Sequence, residues 1–322
     1  MAWRTRFAPS PTGYLHLGHV VNAIHVWGIA RAFGGDVLLR IEDHDRTRCR
    51  EEYEDALLDD LDWLGFVPDV GRTDSFRRAR VAPLETLRRR EPRSQRQSDN
   101  DARYTAALAI LTERDLTYVC TCTRRDIAQH APHAPGAEPR YPGTCREARH
   151  AETESLARRV RTGEGVVTFD DRRRGLLQQS PVEQCGDVLV RDRHGQWTYQ
   201  FAVVVDDMEH DIDVVIRGED LLASTGRQLQ LAALLGRERR LAWWHHPLLV
   251  HPDGRKLSKA NRDTSIRDRR AAGAHAAALL GEAAFLAGLL PAARDLTIDE
   301  LPSLFRQSTE FRDCPAGAFQ QL

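Results

Sequence analysis

Apolar and polar positions along this chain alternate between strand and helix spacings. Arg6 to Ala8 alternate as a short strand, two prolines and a glycine mark a turn, and Val20, Ile24, Trp27 and Ile29 then recur with a helical period to about Arg31. Phe33-Gly34-Gly35-Asp36 leads into a second strand over 37–43. Strand, helix and strand in this order predict a right-handed βαβ unit, with ligands held beyond the carboxyl ends of the strands, where Ser10 and Glu42 fall. A helix over Glu51 to Leu64 carries the stripe Tyr53, Leu57, Leu58, Leu61 and Leu64, and another passes through Tyr104, Leu108 and Leu111. Further on the pattern predicts a helix at 152–161, a strand at 166–169, a strand pair over 188–191 and 197–207, and an apolar strand at 212–216. A helix from about 224 to 235, a final strand at 246–250 and Ala-rich helix over 271–290 follow. The class is α/β, with two halves of one nucleotide-binding sheet.

Composition changes this picture little. A chain of 322 residues with 41% hydrophobic and 29% charged content is that of an ordinary globular protein. The N-terminus has no apolar leader and no window is long enough for a membrane span, so a cytoplasmic protein with no membrane partner is expected. Net charge of −1 gives no global basic field, so a nucleic-acid partner would have to be held by local patches. The basic residues themselves are more telling. Of 46, only Lys256 and Lys259 are lysine, both within Lys256-Leu257-Ser258-Lys259, as if a compact ammonium there could not be exchanged for a guanidinium. Arginines instead crowd 72–96 and recur at Arg172-Arg173-Arg174; the longer run reads as a solvated loop or as an added contact to phosphates.

Two places offer chemistry. The turn before the first long helix suits a phosphate, because first-turn N–H groups lack internal partners and His16 and His19 can add hydrogen bonds. Cys120, Cys122 and Cys145, with Tyr141 between, supply three thiols and a phenol, enough for a tetrahedral metal; spacing alone fits unpaired loop or core cysteines equally well. His130 and His133 lie in the intervening loop as competing fourth ligands, and Cys49, Cys185 and Cys314 read as packing residues.

The string from Arg6 to His19 (RFAPSPTG, then LHLGH) resembles the first signature of class I aminoacyl-tRNA synthetases, the HIGH region, as glutamyl-specific members carry it. The segment 43–48 resembles that group's continuation after the second strand. Lys256 to Lys259 resembles the KMSKS signature, with Leu257 for Met and Ala260 for the last Ser. CTCTR followed by Tyr141-Pro142-Gly143-Thr144-Cys145-Arg146 is similar to the zinc site of the glutamyl-Q tRNA(Asp) synthetase branch. The likeness runs from Arg6 to about Asn261, and it marks 72–96 as an insertion of about twenty residues, a length common in functional or disordered loops.

The resemblance implies a class I Rossmann-type nucleotide-binding domain with an inserted zinc-bearing subdomain and a short helical C-terminal region. It divides the chain at 1–100, 101–185, 186–260 and 261–322. It implies His16, His19, Lys256 and Lys259 as catalytic groups, with His16, Gly18, His19 and Lys259 at ATP. It puts Arg6, Phe7, Ala8, Pro9, Ser10, Glu42, Tyr199 and Arg217 at glutamate, the arginines gripping carboxylates and Glu42 pairing the ammonium. One structural zinc on Cys120, Cys122, Tyr141 and Cys145, magnesium with ATP, and a monomer are expected. The expected reaction is activation of L-glutamate without tRNA and its transfer to the queuosine base of tRNA(Asp), since the stretch after Lys259 looks too short for an anticodon-binding domain. Three alternatives share part of this pattern: a truncated glutamyl-tRNA synthetase, a nucleotidyltransferase of the same superfamily that lacks the glutamate residues, and a non-catalytic RNA-binding paralogue.

Overall fold

The computed structural model describes residues 2–81, 94–130, 138–151, 156–249 and 264–307. The first part runs β1 (Arg4–Phe7), α1 (Leu17–Phe33), β2 (Asp36–Leu39), α2 (Glu51–Leu64), α3 (Thr73–Val81) and α4 (Asp101–Glu113). It continues with β3 (Thr117–Cys120), α5 (Arg124–His130), β4 (Ala157–Val160), β5 (Val167–Asp171), β6 (Gly175–Gln179), α6 (Pro181–Gln184) and β7 (Val188–Arg191). The last part is α7 (Tyr199–Glu209), β8 (Val214–Gly218), α8 (Thr225–Leu234), β9 (Ala242–His246), α9 (Ile266–Ala271), α10 (Ala276–Leu286) and α11 (Leu301–Gln307). None of the described helices is long and apolar enough to cross a membrane.

The central sheet is built from parallel strands. β1 pairs with β2, β8 with β9, and β9 with β5, whose far side takes β6 antiparallel. The two groups meet where the Asp213 N–H donates to the Arg4 carbonyl at 2.9 Å, so β1 lies beside β8. From there the chain crosses one way to β2 and the other way to β9, which makes the β1/β8 edge the point where the strand order reverses. All of these parallel strands end on one side, and Phe7, Arg217 and His246 come together there. A separate antiparallel sheet, β3-β4-β7, carries Cys120 at the end of β3, and Cys122 and Cys145 lie in the loop segments beyond it. Strand pairing cuts across the division expected at 185/186: β5 and β6 join β9, and β7 joins β4.

Helix α1 is buried on most sides and shows why the core sits where it does. Ile24, Trp27 and Ile29 are almost wholly covered, against Phe7 and Trp244 of the sheet, Phe66 just past α2 and Phe305 of α11. Gly34 ends the helix in the left-handed conformation, φ 75°, which a side chain would resist.

Several predicted elements differ. The run 197–207 is no strand; it enters helix α7, and its Val203-Val204-Val205 stretch is buried on all faces. A continuous apolar run carries no period that separates helix from strand. The helix expected at 152–161 is strand β4 over its described end, because pairing with β3 and β7 outweighs the helix propensity of Ala and Arg. The final strand lies at Ala242–His246 rather than 246–250; its five residues are all buried, so no alternation marked it. β2 closes at Leu39, earlier than expected, with Ile41 bridged to Arg96. The helix expected over 271–290 is divided between α9 and α10, and α11 was not foreseen.

A methyl group on Gly28 would sit 2.0 Å from the Phe305 ring, which is fully buried. Gly28→Ala is expected to destabilise the fold by about 1–3 kcal/mol through overpacking. Denaturant unfolding measures this, and a loss that disappears when Phe305 is also reduced to Leu identifies the clash as the cause.

Candidate active site

A cavity of about 570 Å³ opens at the carboxyl ends of β1, β8 and β9. Its walls come from the β1 end (Phe7, Ala8, Pro9, Ser10), the start of α1 (His16, Gly18, His19, Asn22), Glu42 beyond β2, and Tyr199, the first residue of α7. Arg217, Gly218 and Asp220 close the β8 side, and 246–249 the β9 side.

At the helix start His16 is the N-cap, and its Nδ1 accepts from the Gly18 N–H at 3.1 Å. His19 Nδ1 accepts from the His16 N–H, also at 3.1 Å, and the two rings lie 4.0 Å apart. With both Nδ1 atoms acting as acceptors, each neutral ring carries its proton on Nε2 and offers a donor from that edge. This differs from the expectation of open first-turn amides: the Gly18 N–H is taken by the His16 ring. A Cβ at Gly18 would stand 2.9 Å from that ring, so the capping geometry needs glycine.

Beneath the cavity lies a charged layer. Arg40 is fully buried; its Nη1 donates to Asp207 Oδ1 at 2.7 Å and its Nη2 to Glu42 Oε1 at 2.9 Å. Arg6 Nε donates to the same Asp207 at 3.2 Å. Burial opposes the Asp207 charge, but Arg6 and Arg40 outweigh it and hold the carboxyl at about 2. Arg217 is bound differently. Its Nε donates to His245 Nε2 at 3.0 Å, Nη1 to Gln228 at 2.7 Å, and Nη2 to Thr225 Oγ1 at 2.9 Å and the Leu221 carbonyl at 3.1 Å. Burial brings its guanidinium down to about 10, still charged near neutral pH. Burial also raises the Tyr199 phenol.

Over residues 2–295 the chain matches the family model for tRNA synthetases class I (E and Q), catalytic domain. The chain belongs to that family. Among curated proteins it is 39% identical to a glutamyl-Q tRNA(Asp) synthetase of Nitratidesulfovibrio vulgaris, the match covering 89% of this chain and 87% of that protein. It is 41% identical to a glutamyl-Q tRNA(Asp) synthetase of Burkholderia cenocepacia, over 85% of this chain and 87% of the relative. Among solved structures the glutamate-tRNA synthetase of Elizabethkingia anophelis superposes with a TM-score of 0.74 at 26% identity, covering 94% of this chain. This chain spans only 65% of that longer synthetase.

Against the sites expected of such a class I synthetase, the cavity gathers Phe7, Ala8, Pro9, Ser10, His16, Gly18, His19, Glu42, Tyr199 and Arg217. Arg6 is not on its wall and engages Asp207 instead. Lys256 and Lys259 lie outside the described residues, as do 82–93 of the arginine-rich run, His133 and Cys314. The described start of that run is already paired, Arg77 with Asp59 and Asp62 and Arg78 with Asp74, and Arg173 and Arg174 both meet Glu219. Residues missed from sequence include Asn22, Asp220 and His246; Asn22 was findable, lying three residues after His19 on the same face of α1. His246 Nε2 lies 3.1 Å from Asn22 Oδ1, and burial lowers its ring to about 4.

The cysteines of this synthetase converge. The Sγ atoms of Cys120, Cys122 and Cys145 lie within 4.8 Å of one another, and the Tyr141 hydroxyl is 3.5 Å from Cys120 Sγ and 4.0 Å from Cys122 Sγ. Donors around a tetrahedral zinc stand about 3.8 Å apart for bonds of about 2.3 Å, so these four atoms fit such an ion. The Cys145 N–H donates to the Tyr141 oxygen at 2.9 Å, and the buried Arg159 donates from Nε to Cys120 Sγ at 3.4 Å, charges suited to an anionic ligand set. His130 Nδ1 is bound instead to the Asp126 carbonyl at 2.7 Å on the surface. Cys185 is buried and Cys49 half-buried, apart from this group. Protein purified without chelator is expected to carry about one zinc per chain, and Cys145→Ser to lose it. Elemental analysis that finds no metal would remove the site.

Proposed function

We propose that this chain activates L-glutamate with ATP and transfers it to the queuosine base of tRNA(Asp). The observation that carries the reading is the near-full-length match, at about 40% identity, to relatives named for that reaction, on a chain whose cavity collects both a phosphate-type and a carboxylate-type set of groups. The longer glutamate-tRNA synthetase structures give the second reading, charging of a tRNA 3′ end.

In the activation step the α-carboxylate of glutamate attacks the α-phosphorus of ATP and pyrophosphate leaves, which requires positioning and charge neutralisation rather than a covalent intermediate with the protein. His16 and His19 present Nε2–H donors toward phosphate oxygens. Arg217 supplies a fixed cation for one carboxylate, Tyr199 and Ser10 neutral hydrogen bonds, and Glu42 an anion for the ammonium. Arg6 acts one layer down, sharing Asp207 with Arg40. Lys256 and Lys259 follow the β9 wall in sequence and are assigned to the phosphates; magnesium accompanies ATP. In the second step a nucleophile on the base attacks the activated carbonyl and AMP leaves. A base splayed from a single-stranded loop can enter such a cleft. The zinc group, at the end of β3 and in the loops beyond it, is assigned a structural role.

ATP–pyrophosphate exchange is expected with glutamate and ATP alone; a requirement for added tRNA(Glu) would favour the second reading. Labelled glutamate is expected on queuosine-containing tRNA(Asp) whose 3′-terminal ribose has been oxidised by periodate, and not on tRNA(Asp) lacking queuosine. Lys259→Ala is expected to cost activation a few kcal/mol, about a hundredfold or more, without unfolding the chain, and Lys259→Arg to restore it only in part. Full activity in Lys259→Ala would remove the lysine from the mechanism.

A further inference from the structure

The buried arginines at the cavity are not equivalent. Arg6 and Arg40 spend their charge directly on carboxylates, whereas Arg217 makes no ion pair among the described residues. Its hydrogen-bond path to an anion runs through an imidazole. Arg217 Nε can only donate, so His245 Nε2 must accept, and the ring's proton must be on Nδ1. That Nδ1–H donates to Asp171 Oδ2 at 2.5 Å, and neither Asp171 nor His245 has any exposure to solvent. The other carboxylate oxygen, Oδ1, accepts from the backbone N–H groups of Arg173 and Arg174 at 3.1 and 3.0 Å, so Asp171 cannot turn. The three residues sit on adjacent parallel strands: Asp171 ends β5, His245 lies in β9, and Arg217 is its register partner in β8. Trp243 supports the guanidinium carbon at 4.8 Å.

We propose that Asp171 and His245 are positioning residues that fix Arg217 for a carboxylate of the substrate, and that the imidazole is interposed so that this arginine is oriented by an anion without being neutralised by direct pairing. A carboxylate in van der Waals contact with Arg217 would compete with the ligand for the same cation; one ring further away it sets the tautomer and leaves the charge for the cavity. The inference rests on reading this cavity as the glutamate site.

Asp171→Asn tests it, because Oδ1 stays on its two backbone donors and the new NH2 group takes the place of Oδ2. Facing a donor, His245 must shift its proton to Nε2, which then opposes the Arg217 Nε–H. Glutamate-dependent ATP–pyrophosphate exchange is expected to show KM for glutamate raised about tenfold or more, with KM for ATP changed less than about twofold and the thermal unfolding midpoint nearly unchanged. Adding His245→Gln, whose amide oxygen can accept from Arg217 whatever stands at 171, is expected to recover at least about threefold of the loss in glutamate KM. If Asp171→Asn does not fold, His245→Leu is compared with His245→Gln: the first is expected to raise glutamate KM about tenfold and the second less than about threefold. A wild-type protein with no glutamate-dependent exchange would overturn the functional reading itself. With an active wild type, an unchanged glutamate KM in Asp171→Asn, parallel loss for both substrates, or equal KM values for His245→Leu and His245→Gln would overturn the relay alone.

Discussion

The carboxylate of Asp207 is the point on which the rest of the structure depends. Two guanidiniums, from β1 and from just beyond β2, converge on it, and the second also holds Glu42. Each of these groups is too deeply buried to be charged alone. Removing one partner of such a set typically costs about 3–5 kcal/mol, because the other charge is left buried and unpaired. The neighbouring Asp206 adds Gln97 at 2.9 Å, the Tyr104 hydroxyl at 2.8 Å and Arg103 at 3.1 Å, so helix α7 is tied to the sheet on one side and to α4 on the other. The direction of α7 follows from these ties, and with it the placement of Tyr199 at the cavity.

That layer also accounts for the split among arginines. In the proposed reaction the ligand, glutamate, carries two carboxylates and an ammonium, and a pocket lined by several unpaired guanidiniums would bind any polyanion. Fixing Arg6 and Arg40 to protein carboxylates takes two positive charges out of competition and makes a rigid floor, while Arg217 keeps its charge. Selectivity among anions then depends on geometry around one cation rather than on overall field, in keeping with a chain whose net charge is −1.

Sequence carried the first βαβ unit well because its determinants are local: a proline-glycine turn, a helix with apolar periodicity and a second strand, all within about forty residues. The convergence of Cys120, Cys122 and Cys145 matched the ligand set that the resemblance implies, where their spacing alone had left unpaired cysteines equally open. What could not be read were contacts set by register. Arg6 was expected at the ligand because nothing local marks its pairing with Asp207, two hundred and one positions away. Asp171 and His245 meet only because β5 and β9 are adjacent, and neither looks unusual in its own segment. Helix α7 and strands β4 and β9 were misjudged for a related reason, that burial on every side or pairing from afar replaced the periodic signal.

The cavity's own charges indicate where the remaining demand falls. Its described wall holds one guanidinium, Arg217, against the carboxylates Glu42 and Asp220, and three imidazoles, His16, His19 and His246. Burial keeps His246 neutral, and the Nδ1 atoms of His16 and His19 are taken up by backbone N–H groups. A triphosphate entering this wall would meet hydrogen-bond donors but little net positive charge. In the proposed reaction the developing charge on pyrophosphate must therefore be met by metal ions brought with ATP and by side chains beyond the described wall. The chain's two lysines come within ten residues after Leu249, the last described wall position, and a flexible stem ending in a compact ammonium can follow a leaving group where a rigid fork would hold one geometry.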